Sequence, residues 1–212
     1  MSTYDQLVQA RKSCKKCIEL TNPADEQFDG CEIGPWSRWL ASRPANLILV
    51  GQDWGTVRYF RDHRGRDTSE NGTNKRLAEF LALLGFKVGP ADREDRQSGV
   101  FATNAFLCLK PGETLSAPVK HEWFKNCRVF LKSTIDVVAA PNVIALGKYA
   151  YEAVARAYEL SPLPFQQAIE KASPLRLDER RRAFAVFHPA AWPSNRTHDQ
   201  MRDDWLRIKS ML

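Results

Sequence analysis

The sequence predicts an α/β protein, a three-layer α/β/α arrangement around a central four-stranded parallel sheet. Two observations carry that expectation. Four short apolar runs, Leu47–Val50, Val100–Phe106, Val143–Leu146 and Phe184–Phe187, are each bounded by turn formers and have the length of buried strands. Helix-like stretches alternate with them at Lys75–Leu84, Val119–Val138, Lys148–Tyr158 and His198–Met211. Strand and helix in alternation imply parallel strands buried on both faces, because each crossover lays a helix over the sheet. A further helix is expected ahead of the sheet, over Tyr4–Glu19, with a turn-rich loop after it that carries Pro23, Gly30, Gly34 and Pro35.

At 212 residues, with 43% hydrophobic and 26% charged residues, the chain suits a single globular domain over 1–212. No apolar run approaches the length of a membrane span, so no membrane association is expected. The first residues lack a charged-then-apolar signal pattern, which points to the cytosol. A formal charge of +6 and a pI of about 9.1 favour polyanionic partners through long-range attraction. Arg176, Arg180, Arg181 and Arg182 concentrate some of that charge ahead of the last strand, although most such runs are solvated.

In a parallel sheet the ligand site lies outside the carboxyl ends of the strands. Gly51-Gln52-Asp53-Trp54-Gly55 follows the first strand, Asn104 lies near the end of the second, Gly147-Lys148 follows the third, and His188-Pro189-Ala190-Ala191-Trp192 follows the fourth. Polar groups distant in sequence should therefore converge on one edge. Asp53 on a strand-to-loop turn can hold a water or face a developing cation, or simply bond its own backbone. Asn104 offers a donor and an acceptor on one rigid amide, suited to the edge of a planar base or to tying loops together. His188, held before a proline at a strand exit, can donate to an oxygen gaining negative charge.

Five cysteines in a reducing compartment argue against a disulfide framework, and the odd number leaves one thiol over from any pairing. Cys14 and Cys17 form a C-x-x-C, Cys108 lies just past the second strand, and Cys127 lies in the following helix. Four thiolates from separate regions suit either a [4Fe–4S] cluster or a structural zinc.

Taken in order, these residues resemble the uracil-DNA glycosylase superfamily, most closely its iron–sulfur (family 4) branch. The C-x-x-C of Cys14 and Cys17, an Asn followed four residues later by a Cys (Asn104, Cys108), and a helical Cys after a Glu (Cys127 after Glu122) are similar to that branch. So are the Leu146-Gly147 helix start, the His188-Pro189 pair and the late Trp205. The first motif departs from Gly-Glu-Ala-Pro-Gly, and its Gln52-Asp53 pair looks like the family 1 motif, where the Asp is catalytic. Family 1 also has a Tyr where Gly55 stands, to exclude thymine. The aromatic that stacks on uracil has no direct counterpart in Ser69-Glu70-Asn71-Gly72, which leaves Tyr59 or Phe60 as stand-ins, and Ala190 replaces the usual Ser of the third motif.

The resemblance implies a monofunctional DNA glycosylase of base excision repair that hydrolyses the N-glycosidic bond of uracil and leaves an abasic site. It implies catalytic Asp53 and His188, uracil contacts from Gly51, Gln52, Gly55 and Asn104, and Trp192 as the wedge that fills the vacated base stack. A [4Fe–4S] cluster on Cys14, Cys17, Cys108 and Cys127 is implied as a structural tie, with Cys31 a free thiol. The expected partner is uracil-containing DNA, met by a monomer in a bacterial nucleoid. No lysine stands in the sequence as an obvious Schiff-base nucleophile. Two other functions fit the same residues: a glycosylase for thymine mispairs or deaminated purines, with Gly55 opening the pocket, and a non-catalytic iron–sulfur DNA-binding module.

Overall fold

The computed structural model describes residues 3–34, 37–113, 118–191 and 196–212. Four parallel strands form where the apolar runs lie: β1 (Leu47–Gly51), β2 (Val100–Asn104), β3 (Asn142–Leu146) and β5 (Arg182–Val186). The sheet order is β2-β1-β3-β5-β4, where β4 (Leu175–Arg176) is a two-residue antiparallel edge on β5. The expected four-stranded sheet is thus five-stranded. The extra strand is too short to show a period of its own and exists through its pairing with Arg182 and Ala183.

Helices close both faces. α1 (Tyr4–Lys12), α4 (His121–Val138) and α5 (Lys148–Ala157) pack together, with α5 against β1, β3 and β5. α3 (Gly72–Leu83) packs with α7 (His198–Lys209), which lies against β5, as does α6 (Phe165–Glu170). Between the layers the strands are almost wholly buried, and one core runs from Tyr4 to Ile208. Among the described residues no helix is long and apolar enough to cross a membrane.

Two expected boundaries shift for physical reasons. β2 ends at Asn104 instead of Phe106, because the next two amides leave the ladder geometry while still following β1: Ala105 N–H donates to Gly51 O (2.8 Å) and Phe106 N–H to Gln52 O (3.3 Å). α1 ends at Lys12, not Glu19, so the C-x-x-C lies beyond the helix. The side-chain amide of Asn22 donates to the carbonyls of Arg11 (2.9 Å), Lys12 (3.2 Å) and Cys14 (2.9 Å), drawing the chain off the helical path.

Arg11 anchors that turn from inside. It is 2% exposed, and its guanidinium donates to both Asp29 oxygens (3.1 and 2.9 Å) and to Glu32 O (2.9 Å). Replacing Arg11 by Met removes the bidentate partner of the buried Asp29 carboxylate and leaves it, among the described residues, the Lys12 ammonium 3.4 Å away. The expected result is a loss of about 3 kcal/mol of unfolding free energy, read as a lower urea midpoint.

Candidate active site

The carboxyl ends of β1, β2, β3 and β5 border one cavity of about 430 Å³. Gly51, Gln52, Asp53, Gly55, Asn104 and His188, six positions singled out from the sequence, all line it. Trp192 lies outside the described residues.

Register explains the convergence of the first two motifs. Gly51 and Asn104 are direct partners across the β1–β2 ladder. A Cβ built on Gly51 would fall 2.2 Å from Asn104 Oδ1, so the amide occupies the space a side chain would need. Gly51 is thus required by Asn104. Gly55 has φ +138°, a conformation that L residues rarely adopt. A tyrosine there would be strained by its backbone before its ring met any ligand.

Asp53 sits in the turn after β1 with a side chain 6% exposed. Gln52 Nε2 donates to its Oδ2 (2.7 Å), and the Lys110 ammonium lies 3.1 Å from Oδ1 and 3.2 Å from Oδ2. Burial raises the Asp53 pKa above the usual carboxylate value, while the Lys110 charge, Gln52 and the Gly55 amide oppose the rise. The turn then feeds α2 (Val57–Asp62), a short helix with no apolar period to announce it. Its Thr56 cap accepts from Tyr59 N–H (3.2 Å), and Val57 N–H donates to Lys110 O (3.1 Å).

His188 lies at the exit of β5, where Arg76 Nη1 donates to Pro189 O (3.0 Å) and pins the turn. The Ala190 N–H donates to His188 Nδ1 (3.1 Å), which puts the ring proton of the neutral imidazole on Nε2. Burial pushes its pKa down to about 4. Beside it, Gly147 uses φ +92° to turn from β3 into α5, and a Cβ there would lie 3.6 Å from the His188 Cβ.

Aromatic groups form part of the wall. Phe60, one of two expected stacking rings, is fully buried beneath the loop and does not line the cavity. Tyr59 does, with Trp54 beside it at a centroid distance of 5.0 Å and Asn71 Nδ2 donating to its hydroxyl (3.1 Å). Lys148, expected at the end of the third strand, lines the cavity too, as do Asp67, Asn74 and Tyr149, which were not singled out from the sequence. Asp67 carries a pKa raised to about 6 by burial, against the pull of Asn74 and the Ser37 amide.

Cys14, Cys17, Cys108 and Cys127 lie near enough to one another for their charges to interact. Cys108 and Cys127 are buried, Cys14 and Cys17 half-buried, and none is in a disulfide. Burial, then the charges of Cys17 and Cys14, pushes the Cys108 thiol up to about 12, and burial does the same to Cys127, which also feels Cys108, Cys17 and Cys14. Asn126 Nδ2 lies 3.5 Å from Cys17 Sγ, and antiparallel bonds between Thr21 and Leu109 (3.0 and 2.8 Å) tie the two cysteine loops together. Among the described residues, no three His, Cys, Asp or Glu side chains stand as ligands around a single metal ion. Cys31 is exposed.

The arginine run is half solvated, with Arg176 and Arg180 exposed and the other two engaged. Arg181 pairs with Asp136 and Asp178, and Arg182 Nε donates to Asn142 Oδ1 (2.9 Å), all at the amino end of β5, opposite the cavity.

The His188 geometry predicts a titration near pH 4, far below an exposed imidazole, with the proton on Nε2 above that pH. Nitrogen-15 NMR of the histidine rings, with His188→Asn for assignment, checks both. The sign for stability follows: between about 6.5 and 4 the unfolded chain binds this proton and the folded one does not, so His188 costs stability as pH falls through that window.

The family model described as the uracil DNA glycosylase superfamily matches residues 39–209. A Type-5 uracil-DNA glycosylase from Pyrobaculum aerophilum is 24% identical over 198 residues, which covers 88% of this chain and 82% of that protein. With a β2-β1-β3-β5 parallel sheet, a cavity at its carboxyl edge and a family match over most of its length, the chain belongs to the uracil-DNA glycosylase superfamily.

Proposed function

We propose that this protein is a monofunctional glycosylase that removes uracil from DNA and leaves an abasic site. The observation that carries this is the meeting of Asp53, Asn104 and His188 around one cavity, from three strand ends. A base inside a duplex cannot be reached, so the nucleotide is flipped into the cavity. Asn104 reads the donor–acceptor edge of uracil. His188, neutral with its proton on Nε2, donates to the carbonyl oxygen that gains charge as the bond breaks. Asp53 faces the sugar as it becomes cationic and orients the attacking water, while Tyr59 and Trp54 cover the base. Trp192 is the proposed wedge. The protein acts as a monomer on nucleoid DNA.

Within the superfamily we place it beside the iron–sulfur branch, with a first motif of family 1 type. Cys14, Cys17, Cys108 and Cys127 would hold a [4Fe–4S] cluster. What supports the reading is the donor set: four reduced thiols on three segments, close enough to feel one another's charge. A cubane takes its ligands at separate corners, wider apart than the sulfurs around one zinc ion. The cluster would join the N-terminal segment to the chain after β2.

A second reading concerns the base. Gly55 adds no side chain to the cavity wall, which favours acceptance of hypoxanthine or a mispaired thymine as well. End-labelled oligonucleotides bearing uracil, hypoxanthine or a G·T pair, followed by alkali, test both readings. Strand breaks at uracil only after alkali are expected. No abasic product from any of the three would reject glycosylase activity, and breaks without alkali would reject a monofunctional enzyme.

Two outcomes are expected beyond that assay. Asn104→Asp should slow uracil excision by about tenfold or more and admit cytosine, because a carboxylate has no donor for the uracil O4 but can accept from the cytosine amino group. Protein purified without oxygen should be brown, with about four irons per chain, and Cys31→Ser should keep them. Stoichiometric zinc in place of iron would reject the cluster.

A further inference from the structure

Lys110 is the residue that neither the motifs nor the proposed chemistry assigns. It is 1% exposed, a rare place for an ammonium, and its Nζ lies 3.1 and 3.2 Å from the two oxygens of Asp53. Its backbone is held on both sides: Lys110 N–H donates to Gly55 O (2.9 Å), and Lys110 O accepts from Val57 N–H (3.1 Å). The ammonium thus enters from the segment after β2 and reaches the carboxylate from behind. Asp53 lines the cavity and Lys110 does not. The carboxylate thus stands between the cavity and the lysine's place in the fold.

We propose that Lys110 is the positioning residue of this site, holding the Asp53 carboxylate ionised and in a single orientation toward the cavity. The inference rests on the reading of Asp53 as the group that faces the reacting sugar. A carboxylate as buried as Asp53 is driven toward its neutral form unless a positive charge sits beside it. The other titratable groups around the cavity are poor substitutes. His188 is uncharged above about pH 4, Asp67 is itself acidic, and the Lys148 side chain is 62% exposed and directed to Glu152 (3.9 Å). Gln52 fixes one carboxylate oxygen but brings no charge. With Lys110 in place, the near end of a fixed ion pair points into the site. A cation forming in the cavity meets the carboxylate first and the ammonium at greater distance, so the pair still favours positive charge on the sugar.

The test compares the full-length protein with Lys110→Met, Lys110→Arg, Asp53→Asn and the Asp53→Asn/Lys110→Met double variant. The first readout needs no activity: carbon-13 NMR of the aspartate carboxyls, with Asp53→Asn identifying the signal. Asp53 should titrate about one unit or more higher in Lys110→Met than in the parent, and close to the parent in Lys110→Arg. The second readout is single-turnover excision against pH. The acid limb should move upward in Lys110→Met by the same interval and return in Lys110→Arg.

A third comparison separates positioning from general support. Lys110→Met should slow the parent by about tenfold at pH 7 yet change the Asp53→Asn protein by less than about threefold. An Asp53 titration unmoved by Lys110→Met would overturn the proposal. So would an equal slowing in the two backgrounds. Should Lys110→Met fail to fold, Lys110→Gln, which keeps a donor without the charge, carries the same three readouts. If the parent excises no base from DNA, the glycosylase reading fails while the carboxyl titration still decides the role of Lys110.

Discussion

The pairing of β1 with β2 in one register, Gly51 opposite Asn104, is the constraint on which the rest of the site depends. Strand pairing has a period of two, so a slip of one residue would turn Asn104 to the other face of the sheet. It would also set a residue with a side chain against Asn104, where only a hydrogen fits, since a Cβ on Gly51 would lie 2.2 Å from Oδ1. The same register continues past the strands, as Ala105 and Phe106 donate to Gly51 and Gln52, and brings Lys110 beneath the Asp53 turn. One ladder therefore delivers the amide, the carboxylate and the carboxylate's counter-charge.

Electrostatics at the site is governed by burial and by a few fixed partners. Asp53 and His188 are both driven toward their neutral forms by desolvation, with opposite consequences. A neutral His188 keeps a donor on Nε2 and loses nothing as a hydrogen-bonding group. A neutral Asp53 would lose the charge that gives it a use beside a cation. An ion partner stands by the aspartate, whereas among the described residues the histidine accepts from the Ala190 amide. The division follows from what each group has to offer in its uncharged state.

Before the sheet begins, the N-terminal segment relies on another buried pair. Arg11 and Asp29 hold the chain where Asn22 collects three carbonyls, and this turn sets Cys14 and Cys17 beside the loop of Cys108. Cys108 and Lys110 are two residues apart on that loop. Whatever fixes the cysteines therefore also bears on the Asp53 turn, through the backbone bonds of Lys110 to Gly55 and Val57.

Much of this was legible in the sequence because it depends on local pattern. Four apolar runs and the helices between them determined a parallel sheet, since buried strands and their crossovers leave a period and a length that short windows can register. The topology then placed Asp53, Asn104 and His188 at one edge, because carboxyl ends of parallel strands share a side. What only the tertiary structure decided involves partners with no local signature. Lys110 is 57 residues from Asp53, and nothing around it marks a buried ammonium. The end of α1 at Lys12 is set by an asparagine ten residues on, and β4 exists only against β5. The arginine cluster reads in sequence as a basic run of the usually solvated kind, yet Arg181 and Arg182 are spent on Asp136, Asp178 and Asn142. Sequence pattern reports the face a residue turns to the core; which distant charge it meets there is settled only when the layers close.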